Sequence, residues 1–205
     1  MSTGQTSEPP TRVMAILAAN RFTGYAVLDT SGIVPGGFGS WNLRPWKDSA
    51  QRVRILREKV FGALLRLRPE FVVVGTARRY GSATAELRQA ICEVMAESRI
   101  PVVHRSASES RQLFLGYSGE TTVDAIAKVM VRAFFSQLVA SKISDASGAR
   151  YRRNAFSALA LALHELAIRS PLAAAVISKD EAFEIRAWKT LLAEQAQRLY
   201  PQENL

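Results

Sequence analysis

The side chains of this chain best suited to chemistry are cationic and aromatic, and they gather where apolar runs end. Arg78-Arg79-Tyr80 follows Phe71–Val74, Arg105 follows Val102-Val103, Arg111 lies six residues on, and Arg150, Arg152 and Arg153 precede a long apolar stretch. A guanidinium presents a planar fork of donors that matches phosphate oxygens, and a neighbouring ring can stack on a base. Tyr80, Phe114 and Tyr117 are the rings at hand. The chemistry implied is contact with a nucleic-acid strand. Two plainer readings stand beside it: a solvated turn at 78–81, and an arginine-rich surface that follows from a GC-rich genome.

Charge supports the first reading. The net charge is +9 and the pI about 10.2, with 21 arginines against 6 lysines. Such a balance favours a polyanionic partner, although charge also serves solubility. Other chemistries are excluded more firmly. A single cysteine, Cys92, allows no internal disulfide and no cysteine zinc site. His164 lies in an apolar helical pattern with no second His or Cys nearby, which suits a core or rim histidine. The glycine-rich stretch Pro35–Trp41 is not a phosphate loop, because no Gly-Lys-Ser/Thr follows it; a bulged edge strand is expected there. No apolar run reaches the roughly 18 residues of a membrane span. Residues 1–11 are polar and end in Pro9-Pro10, unlike a signal or transit peptide; a disordered arm and a cytoplasmic protein are expected.

The elements that must position these groups follow from periodicity. Val13–Ala19 is continuously apolar, as a strand covered on both faces should be. Asn20-Arg21 breaks the run, Phe22–Leu28 resumes it, and Asp29–Gly32 is a second turn before Ile33-Val34. The chain therefore opens with an antiparallel meander. Trp46–Leu67 is predicted helical, with Pro69 as its stop; 70–75 is a strand, 84–99 a helix, 101–103 a strand, and 109–115 a short helix. That alternation signals parallel strands. Thr121–Asp124 has the form of a capping box opening a helix to about Ser141, with Asp124 engaged at the cap; 142–153 is a polar loop, and Asn154–Arg169 a largely buried helix. The expected class is α/β: a mixed sheet, meander first and parallel strands after, flanked by helices. The arm covers 1–11, the body 12–170 and a helical appendage 171–205. In the appendage, Ser178–Tyr200 carries Ile185, Trp188, Leu191, Leu192 and Leu199 on one side, a face that must pack on the body, a second copy or a protein partner.

The segment Leu17-Ala18-Ala19-Asn20-Arg21-Phe22-Thr23-Gly24-Tyr25-Ala26-Val27 resembles the opening of the RuvC and YqgF branch of the ribonuclease-H-like fold. There an apolar-Gly-Ile-Asp-Pro-Gly-Ser strand is followed by Arg-x-Thr-Gly-Tyr-Gly-Val. Pro69–Arg79 is similar to the resolvase strand that ends in a catalytic glutamate, and its Val73–Ser82 portion also to the YqgF pattern, in which glycine is normal. His104-Arg105-Ser106 stands where YqgF proteins carry Asp-Glu-Arg. Arg111-Gln112-Leu113 through Gly116 to Thr121-Thr122-Val123 is similar to a resolvase segment, with Thr121 at an expected lysine. Arg153–Ala160 resembles the closing Asp-Ala-x-Asp-Ala-Leu-Ala helix. The resemblance spans roughly residues 13–168 and implies a five-stranded ribonuclease-H-like sheet.

What it implies for chemistry is set by the departures. The family hydrolyses phosphodiesters with two Mg²⁺ ions held by convergent carboxylates. At the matching positions this chain has Leu17, Gly75, Asn154 and Ser157, and no Asp or Glu lies within three positions of any of them. Asp29 and Glu70 sit at the wrong places, leaving Glu109 as the one carboxylate near enough to substitute. The resemblance therefore implies a vacated nuclease without metal or cofactor. It would bind nucleic acid, DNA more than RNA, branched or single-stranded, through Arg78, Arg79, Tyr80, Arg105, Arg111, Arg150, Arg152 and Arg153. Two alternatives are a non-enzymatic scaffold or interaction subunit, and a metal-dependent nuclease with a displaced site. No membrane partner is expected.

Overall fold

A computed structural model describes residues 12–76, 81–115, 122–134, 138 and 149–169, with the side chains of 132, 133 and 149–152 excepted. The arm 1–11, the Arg78-Arg79-Tyr80 loop, Tyr117, Thr121, most of the 142–153 loop and the appendage 171–205 lie outside the described residues.

Five strands form one sheet in the order β3-β2-β1-β4-β5. β1 (Val13–Leu17), β2 (Phe22–Asp29) and β3 (Gly32–Asn42) make the antiparallel meander. β4 (Phe71–Thr76) and β5 (Val102–Ser106) add in parallel on the other side of β1. β3 is the glycine-rich edge strand, and the ladder shifts register between Ala26 and Leu28, the irregularity expected there. The alternation of side chains sorts β1 cleanly. Val13, Ala15 and Leu17 join one core and Met14, Ile16 and Ala18 the other. Covering on both faces is why the sequence shows no polar residue in that run.

On the second face lie α1 (Ser49–Leu67) and α2 (Ser82–Glu97). α1 starts where Asp48 Oδ2 accepts the Gln51 N–H, and ends at Arg68 in the left-handed region (φ 46°), whose N–H bonds the Leu64 carbonyl. Asp48 as cap moves the start three residues past Trp46. On the first face lie α3 (Ala107–Leu115), α4 (Val123–Ala133) and α5 (Ala149–Arg169). α5 runs across the sheet, buried along most of its length.

Three expectations are corrected. β5 continues through His104, Arg105 and Ser106, which pair with Val74, Gly75 and Thr76, so these residues are strand and not the loop leaving it. α5 begins at Ala149, so residues 149–153 belong to the helix and not to a polar loop. Thr122 caps α4, its Oγ1 accepting the Ala125 N–H; Asp124, in the first turn, pairs instead with Arg153.

Candidate functional site

The carboxyl ends of β1 and β4 meet the first half of α5. Gly24 lies beside Leu17 in the β1–β2 ladder, and its bare Cα face lets α5 in: a Cβ there would sit 2.1 Å from the Asn154 carbonyl carbon. Only glycine permits that approach. Asn154 then closes the joint, its Nδ2 donating to the Phe22 carbonyl at 2.6 Å. Beside this joint, Gly75 is enclosed by leucines. A Cβ on Gly75 would lie 2.7 Å from Leu17 Cδ1 and 2.7 Å from Leu161 Cδ1. Ser157, one turn before Leu161, is buried, and its Oγ has no hydrogen-bond partner among the described residues. So the structure brings Leu17, Gly75 and Leu161 together, sets Asn154 beside Gly24 next to them, and places Ser157 between Asn154 and Leu161 on α5; Leu161 was missed by sequence reasoning.

These residues do not fit a divalent metal. Mg²⁺ demands hard oxygen ligands in near-octahedral array, and two leucine methyl groups fill the space in front of Gly75. Among the described residues no group of three His, Cys, Asp or Glu side chains could hold a metal ion. Glu109 lies exposed in the first turn of α3.

One carboxylate does approach the junction, further along α5. Glu165 is one turn beyond Leu161, with its side chain only 4% exposed. Its Oε2 accepts from Arg105 Nε at 2.9 Å and Nη2 at 2.5 Å, and its Oε1 from Arg169 Nε at 2.9 Å. Arg169 also lies over the Phe71 ring, 3.8 Å from its centroid. Burial pushes the Glu165 carboxyl up, but the hydrogen bonds and charges of Arg169 and Arg105 outweigh it and hold the group below the ordinary carboxylate value. Next to it, His164 is buried. Its Nδ1 meets Ser110 Oγ at 2.9 Å, and its Nε2 has no partner among the described residues. Burial first, and then the Arg105 charge, lower its pKa to about 4, against an opposing pull from Glu165, so it is neutral at pH 7. That is the core histidine its surroundings suggested. Glu165 carried a signal of its own: an acid inside the run Ala155–Ala167, spaced four from Leu161 and eight from Ser157.

The expected basic residues separate into groups. Arg105 does not project from a strand end; it is committed to Glu165 beside Gly75. Arg153 is exposed and paired with Asp124 at 2.8 Å. Arg111 is half-buried in α3, its Nε without a partner among the described residues, and burial pulls its guanidinium below the ordinary value. Arg150 and Arg152 are in the first turns of α5, their side chains outside the described set, as are Arg78, Arg79 and Tyr80 entirely. A cationic corner that sequence reasoning missed lies on the other flank, at the β1–β2 turn: Arg21 and Arg44 are exposed there, and the Arg44 guanidinium stands 6.0 Å from the Phe22 ring centroid.

No protein-family model matches the sequence, and no curated protein matches it. Solved structures do. One is RuvC of Thermus thermophilus, 18% identical, with a TM-score of 0.57 over 78% of this chain and 96% of that one. The same organism's RuvC in complex with a Holliday junction substrate is 17% identical, with a TM-score of 0.55 over 73% of this chain and 92% of that one. The yeast mitochondrial Holliday junction resolvase Ydc2 is 12% identical, with a TM-score of 0.50 over 96% and 86%. The α/β sheet described above is thus a RuvC-like ribonuclease-H fold. Among the described residues no helix is long and apolar enough to cross a membrane.

Proposed function

We propose that this chain is a catalytically inactive RuvC-like protein that binds branched or single-stranded nucleic acid, DNA before RNA, over the vacated site. The observation that carries the reading is the leucine filling. Leu17 and Leu161 occupy the space in front of Gly75, at the junction where the resemblance expects converging carboxylates. Loss of those charges also removes the repulsion that phosphates would otherwise meet there. The net charge of +9 and the resolvase structures that share the fold, one of them in complex with a Holliday junction substrate, favour DNA as the ligand.

Fluorescence anisotropy with labelled four-way junction, duplex and single-stranded DNA and RNA tests the reading. Binding should weaken steeply with salt, by a slope of about −0.9 per neutralised phosphate on duplex and about −0.7 on single strands. Arg78→Ala with Arg79→Ala should make the slope shallower by one to two units on the order of that rule. The melting temperature should be the same in EDTA and in millimolar Mg²⁺ or Mn²⁺. Metal-dependent junction cleavage by nuclease-free protein would instead establish a displaced site, with Glu109 as its first candidate ligand.

A second reading, an interaction or scaffold subunit, has one observation in its favour. Phe61 and Leu65, one turn apart on α1, are 50% and 63% exposed. Wild-type protein that shows no salt-dependent binding to any of the nucleic acids would move the conclusion to that reading.

A further inference from the structure

The corner at the β1–β2 turn is built from three separate pieces of chain. The Leu43 N–H bonds the Arg21 carbonyl at 2.8 Å, which clamps the end of β3 onto the turn. Asn42 Oδ1 accepts the Arg44 N–H at 3.0 Å and fixes the direction in which the chain leaves β3. From α1, Arg52 bonds the Asn20 side chain and, at 3.2 Å, the Lys47 carbonyl. Arg21, Arg44 and Lys47 are all exposed, and among the described residues no carboxylate pairs with any of them. Asp48, the nearest acid in sequence, is occupied as the cap of α1. The outer face of α1 and α2 is different: Arg57 is bound by Glu93 and Glu97, and Arg54 by Glu58. Arg66, Arg68, Arg99 and Lys128 are also exposed without a carboxylate partner among the described residues, but at this corner three such cations are tied together by backbone and side-chain bonds.

The corner also adjoins the vacated site. Phe22, beneath Arg44, is the residue whose carbonyl Asn154 holds, and Leu17 lies at the other end of the same turn. A strand that crosses the junction of β1, β4 and α5 toward β3 would pass it.

We infer that Arg21 and Arg44, with Lys47 beside them, form a phosphate-binding corner that takes the backbone of a nucleic-acid strand as it exits the vacated site on the β3 side. This rests on the nucleic-acid reading above and assigns it a contact separate in sequence from Arg78 and Arg79. Guanidiniums suit the role because each can hold a phosphate through two parallel hydrogen bonds. The Phe22 ring under Arg44 limits where that charge can point.

The test compares three variants of the full chain by anisotropy across a salt series, on a labelled four-way junction and on single-stranded DNA. Arg21→Ala with Arg44→Ala should make the slope of log K against log salt shallower by about 1.4 to 1.8, two phosphates' worth. Arg57→Ala, which removes a half-buried, compensated arginine, should leave the slope at the wild-type value. Urea midpoints check that all three remain folded. A wild-type slope for the Arg21/Arg44 variant overturns the corner, whatever Arg78→Ala/Arg79→Ala does. Absence of salt-dependent binding by wild-type protein overturns the nucleic-acid reading itself, so the two failures are told apart.

Discussion

The two helical layers that cover the sheet turn very different surfaces toward it. α1 and α2 present Leu56, Val60, Leu64, Leu87, Ile91 and Met95, and keep their charges outside, where Arg57 meets Glu93 and Glu97. α5 turns Asn154, Ser157, His164 and Glu165 inward among its leucines and alanines. An ordinary amphipathic helix has no use for four polar groups on its buried side, since each needs a partner or costs free energy. The first layer is built for stability alone. The second buries polar groups and commits them to structural bonds: Asn154 to a backbone carbonyl, Glu165 to two arginines and His164 to Ser110, with no partner for the Ser157 hydroxyl among the described residues.

If that contrast is right, the largest effect lies at Glu165. Glu165→Ala leaves Arg105 partly buried without its counter-charge, and breaking such a pair costs about 3–5 kcal/mol. Urea unfolding should show that loss, whereas Arg105→Met with Glu165→Met should recover much of it, because replacing both charges by apolar groups removes the penalty. A loss below 1 kcal/mol for Glu165→Ala would make this pair no different from the surface pairs of α1.

Next in size is the response to acid. His164 has a folded pKa near 4 against an ordinary 6.5. The unfolded chain therefore takes up a proton that the native state refuses. Stability is full above pH 6.5 and falls as the pH drops toward 4, by about 3 kcal/mol at 1.36 kcal/mol per unit. Glu165 adds its own loss at lower pH. Its folded pKa is depressed, so its contribution is complete above 4.5 and disappears as the pH falls through the lower folded value. His164→Gln should flatten the decline between pH 6.5 and 4 and leave the part below it. A wild-type urea midpoint unchanged from pH 7 to 4.5 would show that the α5 layer is not the acid-sensitive one.

Asn154 is the milder case. Asn154→Ala removes one side-chain bond to the Phe22 carbonyl, a loss of about 1 kcal/mol. The same variant loosens the strand that carries the Arg44 contact, so its effect on nucleic-acid binding should exceed its effect on stability. Parallel anisotropy and urea titrations compare the two.

Much of this arrangement was legible beforehand, for reasons that differ by region. The meander and the parallel strands could be read because Val13–Ala19 is covered on both faces and Asn20-Arg21 and Asp29–Gly32 interrupt it with turn chemistry. The departures from the motif were legible because a leucine or a glycine at one position is a statement about one residue. Pairings were not legible. Arg105 looked like a free cation because the end of β5 was placed three residues early, and only the register with Gly75 turns its side chain toward α5. Glu165 could be noticed as an acid in an apolar helix with Arg169 four residues on, but its role was not legible because its other partner, Arg105, lies 60 residues away. Arg21 and Arg44 were missed for the same reason: a backbone bond between residues 21 and 43 joins them, and no periodicity encodes it.

The smallest effect expected belongs to the other layer, and it is the control on the whole comparison. Arg57 makes two short contacts, 2.7 Å to Glu93 and 2.5 Å to Glu97, which by distance alone rival the Arg105–Glu165 pair. Distance is a poor guide, because Glu93 and Glu97 are 48% and 62% exposed where Glu165 is 4%. Water already solvates those carboxylates, so the attraction is screened and the ordering of three long side chains opposes it. Arg57→Ala should therefore cost less than about 1 kcal/mol, and that cost should shrink further in high salt. The cost of Glu165→Ala should hardly respond to salt, since a buried pair is screened far less. Measuring both variants at low and high ionic strength separates the layers by the salt response as well as by size, and equal responses would mean that α5 holds its charges no more deeply than α1 does.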